Sequence, residues 1–311
     1  MLNVRALHYL SEVVRKGSVR RAAAALGVDA TAISRQLKAL EDEVGLELCE
    51  RTAAGMKATE AGELLVRHYQ NQKTTEEAVL SRLDAIRGLH AGQVRIALGE
   101  GFIADLIAAP LQSFLARHPG IALDVQMAGV NEAVQLLKDY DTDVALLYAP
   151  PQDRDLVAHV ETRHPLHLIV PPSHALAGSS RQLDLADIQD CRLALMGNQF
   201  GMGQLVGMVA QQERVELAPV LRTNSVAVLR QFVLSGTGAA FMPETTVQND
   251  VKRGDLVVLP MRHPVFAQAR AQIASRADRN LTVATQAFLD HLRRNMRFFR
   301  EHAPDRHGVL V

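Results

Sequence analysis

The sequence predicts an α+β protein in which a helical, winged N-terminal part is joined by one long helix to an α/β body. Three observations predict it. Two short amphipathic helices flank Gly27, the stretch from Glu63 to Arg87 contains neither proline nor glycine, and strand-like and helix-like segments alternate from Val94 onward. A chain of 311 residues has room for two or three domains of ordinary size.

The first helix is read from Leu7, Leu10 and Val14, which recur at helical spacing. Ser18 is placed to cap the next helix, whose inner face is Ala22, Ala23 and Leu26, small side chains that let helices approach closely. Gly27 supplies a turn, and Asp29 caps a third helix over residues 30–41. On that helix Ile33, Leu37 and Leu40 point inward and leave Thr31, Ser34, Arg35 and Lys38 outside. A packed helix, a tight turn and a helix with a small, basic outer face make a helix-turn-helix.

Formal net charge is zero, so any attraction to nucleic acid has to be local. It is local here. Arg15, Lys16, Arg20, Arg21, Arg35 and Lys38 are opposed over residues 15–38 only by Asp29. Phosphates attract such a patch whatever the base sequence, while Thr31, Ser34, Arg35 and Gln36 have donors suited to base edges in the major groove. A solvated helical bundle with an idle basic face is the alternative. Residues 46–56 read as a small wing with Arg51 near its tip, within reach of a neighbouring phosphate or minor groove. Thr59 then caps a helix running to about residue 89. Along it Leu65, Val79, Leu83 and Ile86 form a broken apolar seam that also carries His68, Gln72 and Thr75. So long a helix cannot bury its own face, which predicts pairing with a second subunit unless the helix folds back on its own chain.

These segments carry a family resemblance. SVRRAAAAL at 18–26, AISRQLKALE at 32–41, LELCER at 46–51 and TEAG at 59–62 together resemble the winged helix-turn-helix of LysR-type transcriptional regulators. The chain departs from the family pattern at Val28-Asp-Ala-Thr-Ala, where a Ser-Gln-Pro-rich entry is commoner, and at Cys49, where phenylalanine is usual. The resemblance implies a helix-turn-helix over residues 1–59, a linker and dimerisation helix over 60–91, and a two-lobed α/β effector domain like a periplasmic binding protein over 92–295. Lobe I takes 92–162 and 268–295, lobe II takes 163–267, and 296–311 is a C-terminal tail, rich in charge and expected to be loose. It also implies a homotetramer built from dimers, a near-palindromic site on double-stranded DNA, an effector of unknown identity in the interlobe cleft, and contact with RNA polymerase if the protein activates.

The body follows the same alternation. Strand-like residues 94–98, 121–126 and 144–147 alternate with helix-like 103–116 and 132–140, and a second series begins at 166. Parallel strands with covering helices are expected, with crossings between lobes near 161–164 and 264–269. Four places match the family's cleft. Glu100, Gly101 and Phe102 follow the first strand, where backbone N–H groups face a ligand; Glu100 pairs with a cationic ligand group or, as preferred here, caps its helix. Asn198, Gln199 and Phe200 lie in a glycine-rich loop, Asn224 and Ser225 at a strand-to-helix junction, and Tyr148 at a strand end.

An enzyme is not expected. His159, His164, His167 and His174 match no metal-ligand spacing, and neither a GxSxG elbow nor a nucleotide fingerprint is in place. No metal or cofactor is called for. Cys49 and Cys191 are the only cysteines, too few for a disulfide scaffold. With no signal segment and no apolar run of membrane length, cytoplasmic residence is expected and no membrane partner. A ligand-independent architectural DNA-binding protein and, less favoured, a solute-binding protein remain as alternative readings.

Overall fold

In the computed structural model, residues 2–53, 55–87 and 91–300 are described. The N-terminal unit opens with α1 (Val4–Lys16), α2 (Val19–Leu26) and α3 (Ala30–Val44). Each begins at a side-chain cap, Asn3, Ser18 and Asp29, which answers a backbone donor the helix itself leaves unpaired. Between α2 and α3 the chain turns at Gly27, whose φ of 66° is the left-handed conformation that a side chain disfavours. Leu7, Leu10, Ile33, Leu37, Leu40 and Leu48 form the core that fixes the three helices. A two-stranded antiparallel wing follows, β1 (Cys49–Thr52) and β2 (Gly55–Ala58). It is tied back where Met56 N–H donates to the Gly17 carbonyl at 2.9 Å.

The long helix α4 (Glu60–Ile86) starts as Thr59 Oγ1 accepts from Gly62 N–H at 3.1 Å. It ends at Ile86, and residue 89, its expected end, lies outside the described residues. Leu65, Val66 and Tyr69 pack against the N-terminal core, and Tyr69 Oη meets His8 Nδ1 at 3.0 Å. Further along, Val79, Leu80, Leu83 and Ile86 are exposed, Ile86 by 81%.

The second unit holds two five-stranded sheets. Its elements in order are β3 (Ala91–Leu98), α5 (Ile103–Ala108), α6 (Pro110–Arg117), β4 (Gly120–Met127), α7 (Val130–Lys138), β5 (Val144–Tyr148), β6 (Leu156–Arg163), β7 (Leu166–Val170) and β8 (Leu193–Met196). Then come α8 (Gly201–Glu213), β9 (Leu221–Thr223), α9 (Val226–Leu234), β10 (Ala239–Pro243), α10 (Glu244–Arg253), β11 (Val257–Leu259), α11 (Pro264–Ala267), β12 (Arg270–Arg276) and α12 (Val283–Asn295). One sheet has the order β4-β3-β5-β12-β6 and the other β11-β7-β10-β8-β9. The chain leaves the first lobe after β6 and returns at β12, so the first lobe is built from segments on either side of that excursion and the second from the excursion itself.

Two expectations need correction. The sheets are mixed rather than parallel throughout: β12 runs antiparallel to β5 and β6, and β7 antiparallel to β10 and β11. Strands β6 and β11 were not legible because neither presents a clean run of alternating or buried apolar residues. The first carries His159, Glu161, Thr162 and Arg163 on a half-exposed surface, and the second is three residues long. The loose tail is also corrected over its first residues, while 301–311 lie outside the described part. Met296, Phe298 and Phe299 are buried, at most 3% exposed, in the first lobe's core. A hydrophobic cluster there outweighs the local charge of Arg297 and Arg300. Among the described residues, no helix is long and apolar enough to cross a membrane.

Candidate nucleic-acid face and interlobe cleft

The N-terminal unit gathers basic and hydroxyl side chains around one open groove of about 720 Å³. Arg20 and Arg21 enter from the first turn of α2, Thr31 and Ser34 from α3, and Arg51 from the wing. Arg20, Arg21, Arg35 and Arg51 are exposed, and none takes part in an ion pair among the described residues. Cations left without a carboxylate are available to an external anion at little desolvation cost. Asp29 steadies the start of α3. Its Oδ1 accepts from Thr31 N–H and Thr31 Oγ1–H, both at 2.7 Å, and these bonds hold the Asp29 carboxyl below the usual range.

Arg35, Gln36 and Lys38 lie outside the lining of this groove, farther along α3, and Gln36 is half-buried. Lys38 is paired with Asp42 at 3.1 Å, which raises its pKa, and Arg15 bonds to Glu12. The local patch is therefore less free than residue types alone suggest: two of its cations have carboxylates one helical turn away.

In the second unit a cavity of about 50 Å³ lies between the lobes. Gly99, Glu100, Gly101, Phe102 and Tyr148 come from the first lobe, and Met196, Phe200, Met202 and Val226 from the second. Its wall is predominantly apolar and contains no lysine or arginine. The lobes approach closely at two glycines. A Cβ on Gly201 would sit 1.9 Å from the Tyr148 carbonyl oxygen, and one on Gly129 would sit 2.8 Å from that of Gln199. Tyr148 keeps its ring on the cavity by donating its hydroxyl to the His164 carbonyl at 2.8 Å, and burial pushes its pKa up.

His164 organises the crossing between lobes. Its Nε2 lies 2.7 Å from the Phe298 carbonyl, which can only accept, so Nε2 carries the proton. Nδ1 lies 2.9 Å from Thr245 Oγ1 on α10. His159 meets Ser275 Oγ at 2.8 Å, and burial lowers its pKa; His174 Nδ1 accepts from Leu176 N–H at 3.2 Å. These histidines serve packing and turns, and the described residues hold no group of side chains suited to a metal ion.

The expected cleft residues separate on inspection. Glu100, Gly101, Phe102, Tyr148 and Phe200 line the cavity. Asn198 instead borders a separate hollow of about 170 Å³ within the second lobe, beside Arg222. Gln199 and Asn224 are exposed and do not line the cavity, whereas Ser225 caps α9, accepting from Val228 N–H at 3.3 Å. Glu100 does cap a helix, but the helix is α9 of the opposite lobe. Its carboxylate accepts from Ser225 Oγ at 3.0 Å, Val226 N–H at 2.5 Å and Ala227 N–H at 3.2 Å. Sequence reading missed Thr246 and Phe298 on the cavity wall. Phe298 had a signal: in a chain with 4% aromatic residues and no tryptophan, adjacent phenylalanines are costly to leave in water.

Two family descriptions match the chain. Residues 4–63 match the bacterial regulatory helix-turn-helix protein of the lysR family, and residues 87–297 match the LysR substrate binding domain. The transcriptional regulator CbbR of Sinorhizobium medicae is 30% identical over 300 residues, covering 92% of this chain and 91% of the relative. The dual regulator GltC of Bacillus subtilis is 24% identical over 266 residues, covering 85% and 87%. Among solved structures, a full-length OxyR variant from Pseudomonas aeruginosa aligns with a TM-score of 0.69 at 20% identity, covering 98% of this chain and 99% of that one. Full-length BenM aligns with a TM-score of 0.54 at 20% identity, covering 94% and 96%.

Proposed function

The chain belongs to the LysR family of DNA-binding transcriptional regulators, and on that premise we propose how its own residues divide the work of reading DNA and sensing a small molecule. The N-terminal unit sets α3 in the major groove. Thr31, Ser34, Arg35 and Gln36 meet base edges there, and Arg20, Arg21, Lys38 and Arg51 hold the flanking phosphates. The observation that carries this reading is the groove of the N-terminal unit, where Arg20, Arg21 and Arg51 surround Thr31 and Ser34 without carboxylate partners. The exposed apolar face of α4, with Val79, Leu80, Leu83 and Ile86, joins a second copy of the chain, and two such heads read a near-palindromic site. Pairs of dimers forming a tetramer, and contact with RNA polymerase during activation, are finer parts of the same proposal.

The interlobe cavity takes the effector. Its apolar wall suits a small ligand with an apolar body, held against Phe102, Tyr148, Phe200 and Phe298. Binding favours one lobe angle over another and so shifts the population of assemblies that grip DNA, without covalent chemistry.

The DNA assignment is tested by anisotropy titrations of Arg35→Ala on duplex DNA over a range of salt. Loss of a base-reading contact costs about 1–3 kcal/mol and relaxes specificity at one base pair. Loss of a phosphate contact weakens all sequences alike and reduces the salt slope by roughly 0.9. Unchanged affinity at fixed low salt would remove Arg35 from the interface. For the cleft, a thermal-shift screen of metabolites followed by footprinting separates a sensor, whose footprint moves with the hit, from a passive DNA binder.

A further inference from the structure

We propose that Glu100 is a tethered anionic latch, a carboxylate of the first lobe that caps helix α9 of the second and holds the cleft closed before any effector arrives. Glu100 begins its own short turn (Glu100–Phe102), where an acidic side chain would ordinarily serve its own backbone donors. It does not. All three of its hydrogen bonds cross the cleft to Ser225, Val226 and Ala227, and no cation pairs with it among the described residues. The first N–H groups of a helix have no partner within the helix, and the aligned peptide dipoles make that end attractive to negative charge. A full carboxylate charge supplied by the other lobe satisfies both requirements only while the lobes are together.

The other contacts across the gap differ in kind. Gln204 Nε2 donates to Asn131 Oδ1 at 2.9 Å, a single neutral bond between exposed side chains. Gly129 and Gly201 allow the lobes to approach but add no attraction of their own. Arg297 reaches Gln248 at 3.3 Å while its stronger bond is to Asp105, within its own lobe. Charge-assisted bonds are about twice as strong as neutral ones, so each Glu100 bond is stronger than the neutral Gln204–Asn131 bond across the same gap.

A consequence for effector chemistry follows, and it alone rests on reading the cleft as the effector site. The cavity wall offers no lysine or arginine, and the donors of α9 are occupied. An anionic ligand that takes the α9 donors displaces the Glu100 carboxylate and thereby releases the latch. An uncharged ligand is enclosed with the latch in place. Glu100 therefore sorts effectors by charge and by the direction in which they move the lobes.

The latch is measured without ligand on the full chain. Spin labels at Gln135→Cys on α7 and Gln212→Cys on α8, both exposed, report one distance across the cleft in a Cys49→Ser, Cys191→Ser background. Labelled chain is diluted with unlabelled chain so that distances within one molecule dominate the pulsed EPR signal. Wild type gives one narrow, short distance. Glu100→Ala adds a longer, broader population, with the closed-to-open ratio reduced at least about tenfold. Glu100→Gln, which keeps an acceptor oxygen but removes the charge, and Ser225→Ala, which removes one donor, shift it in the same direction by less. These two variants decide the matter if Glu100→Ala does not fold. Superimposable distributions in wild type and the folded variants overturn the latch. A metabolite screen without hits would count against the cleft as a sensor and leave this measurement untouched.

Discussion

Phe298→Ala tests whether the segment after α12 is part of the core of the second unit. The ring is 2% exposed, and its centroid lies 4.7 Å from that of Phe102 and 4.8 Å from that of His164. Truncating a core phenylalanine to alanine costs about 3–5 kcal/mol, the sum of lost transfer energy and the cavity left behind. Phe298 also borders the interlobe cavity, so water can enter the vacated space and the neighbours can relax. The expected loss is therefore at the lower end, about 3 kcal/mol. For a unit of this size about 1 kcal/mol moves Tm by roughly 2–4 °C, so the transition falls by roughly 6–12 °C. Calorimetry of the full chain reads it, and hydrogen exchange of peptides from β5 assigns the transition to the second unit. Arg300→Ala, at an exposed neighbour, serves as control and changes stability by less than about 0.5 kcal/mol. A transition unmoved by Phe298→Ala would refute the packing argument. An equal drop in Arg300→Ala would refute the assignment of the loss to the buried ring.

Gly201→Ala should lower stability by more than about 1 kcal/mol in urea unfolding, although alanine is the better helix former by roughly that amount; the added methyl collides with the Tyr148 carbonyl, and a gain in stability would contradict the close approach of the lobes. The Cys49 thiol, pushed up to about 11 by burial, should react with a disulfide reagent at pH 7.5 about two orders of magnitude more slowly than a free cysteine, and a rapid phase assigned to Cys49 would count against its burial. Asp250 is held below the usual carboxylate range by hydrogen bonds from Arg230, and Arg253 adds to the effect. Because its folded-state pKa is depressed, its contribution is fully present above the unfolded-state value near about 3.9 and fades as pH falls through the lower folded value. Asp250→Asn should cost about 2 kcal/mol at pH 7, less than a fully buried pair because both guanidiniums reach solvent, and the gap to wild type should close toward pH 3. A gap independent of pH would reject the ionic origin.

The N-terminal unit was legible because its determinants are local. Ser18 and Asp29 cap helices a few residues away, Gly27 turns the chain where a left-handed residue is required, and the spacing of Ile33, Leu37 and Leu40 fixes which side of α3 stays outside. Interactions between neighbours in sequence leave their pattern in sequence. The edge strands β6 and β11 left a weaker one, since half of an edge strand's partners are water and its residues need not alternate cleanly.

What the amino-acid order determined by itself was therefore the helix-turn-helix, its cationic outer face and the alternating core segments of the body. Tertiary structure decided the rest. It turned Glu100 from a cap on its own turn into a cap on a helix of the other lobe, moved Asn198 to a separate hollow beside Arg222, and drew Phe298 from an expected tail into the cavity wall. The reason is that a side chain's type fixes which partner it needs, while the partner's identity depends on which distant segments the sheets bring within about 3 Å of it.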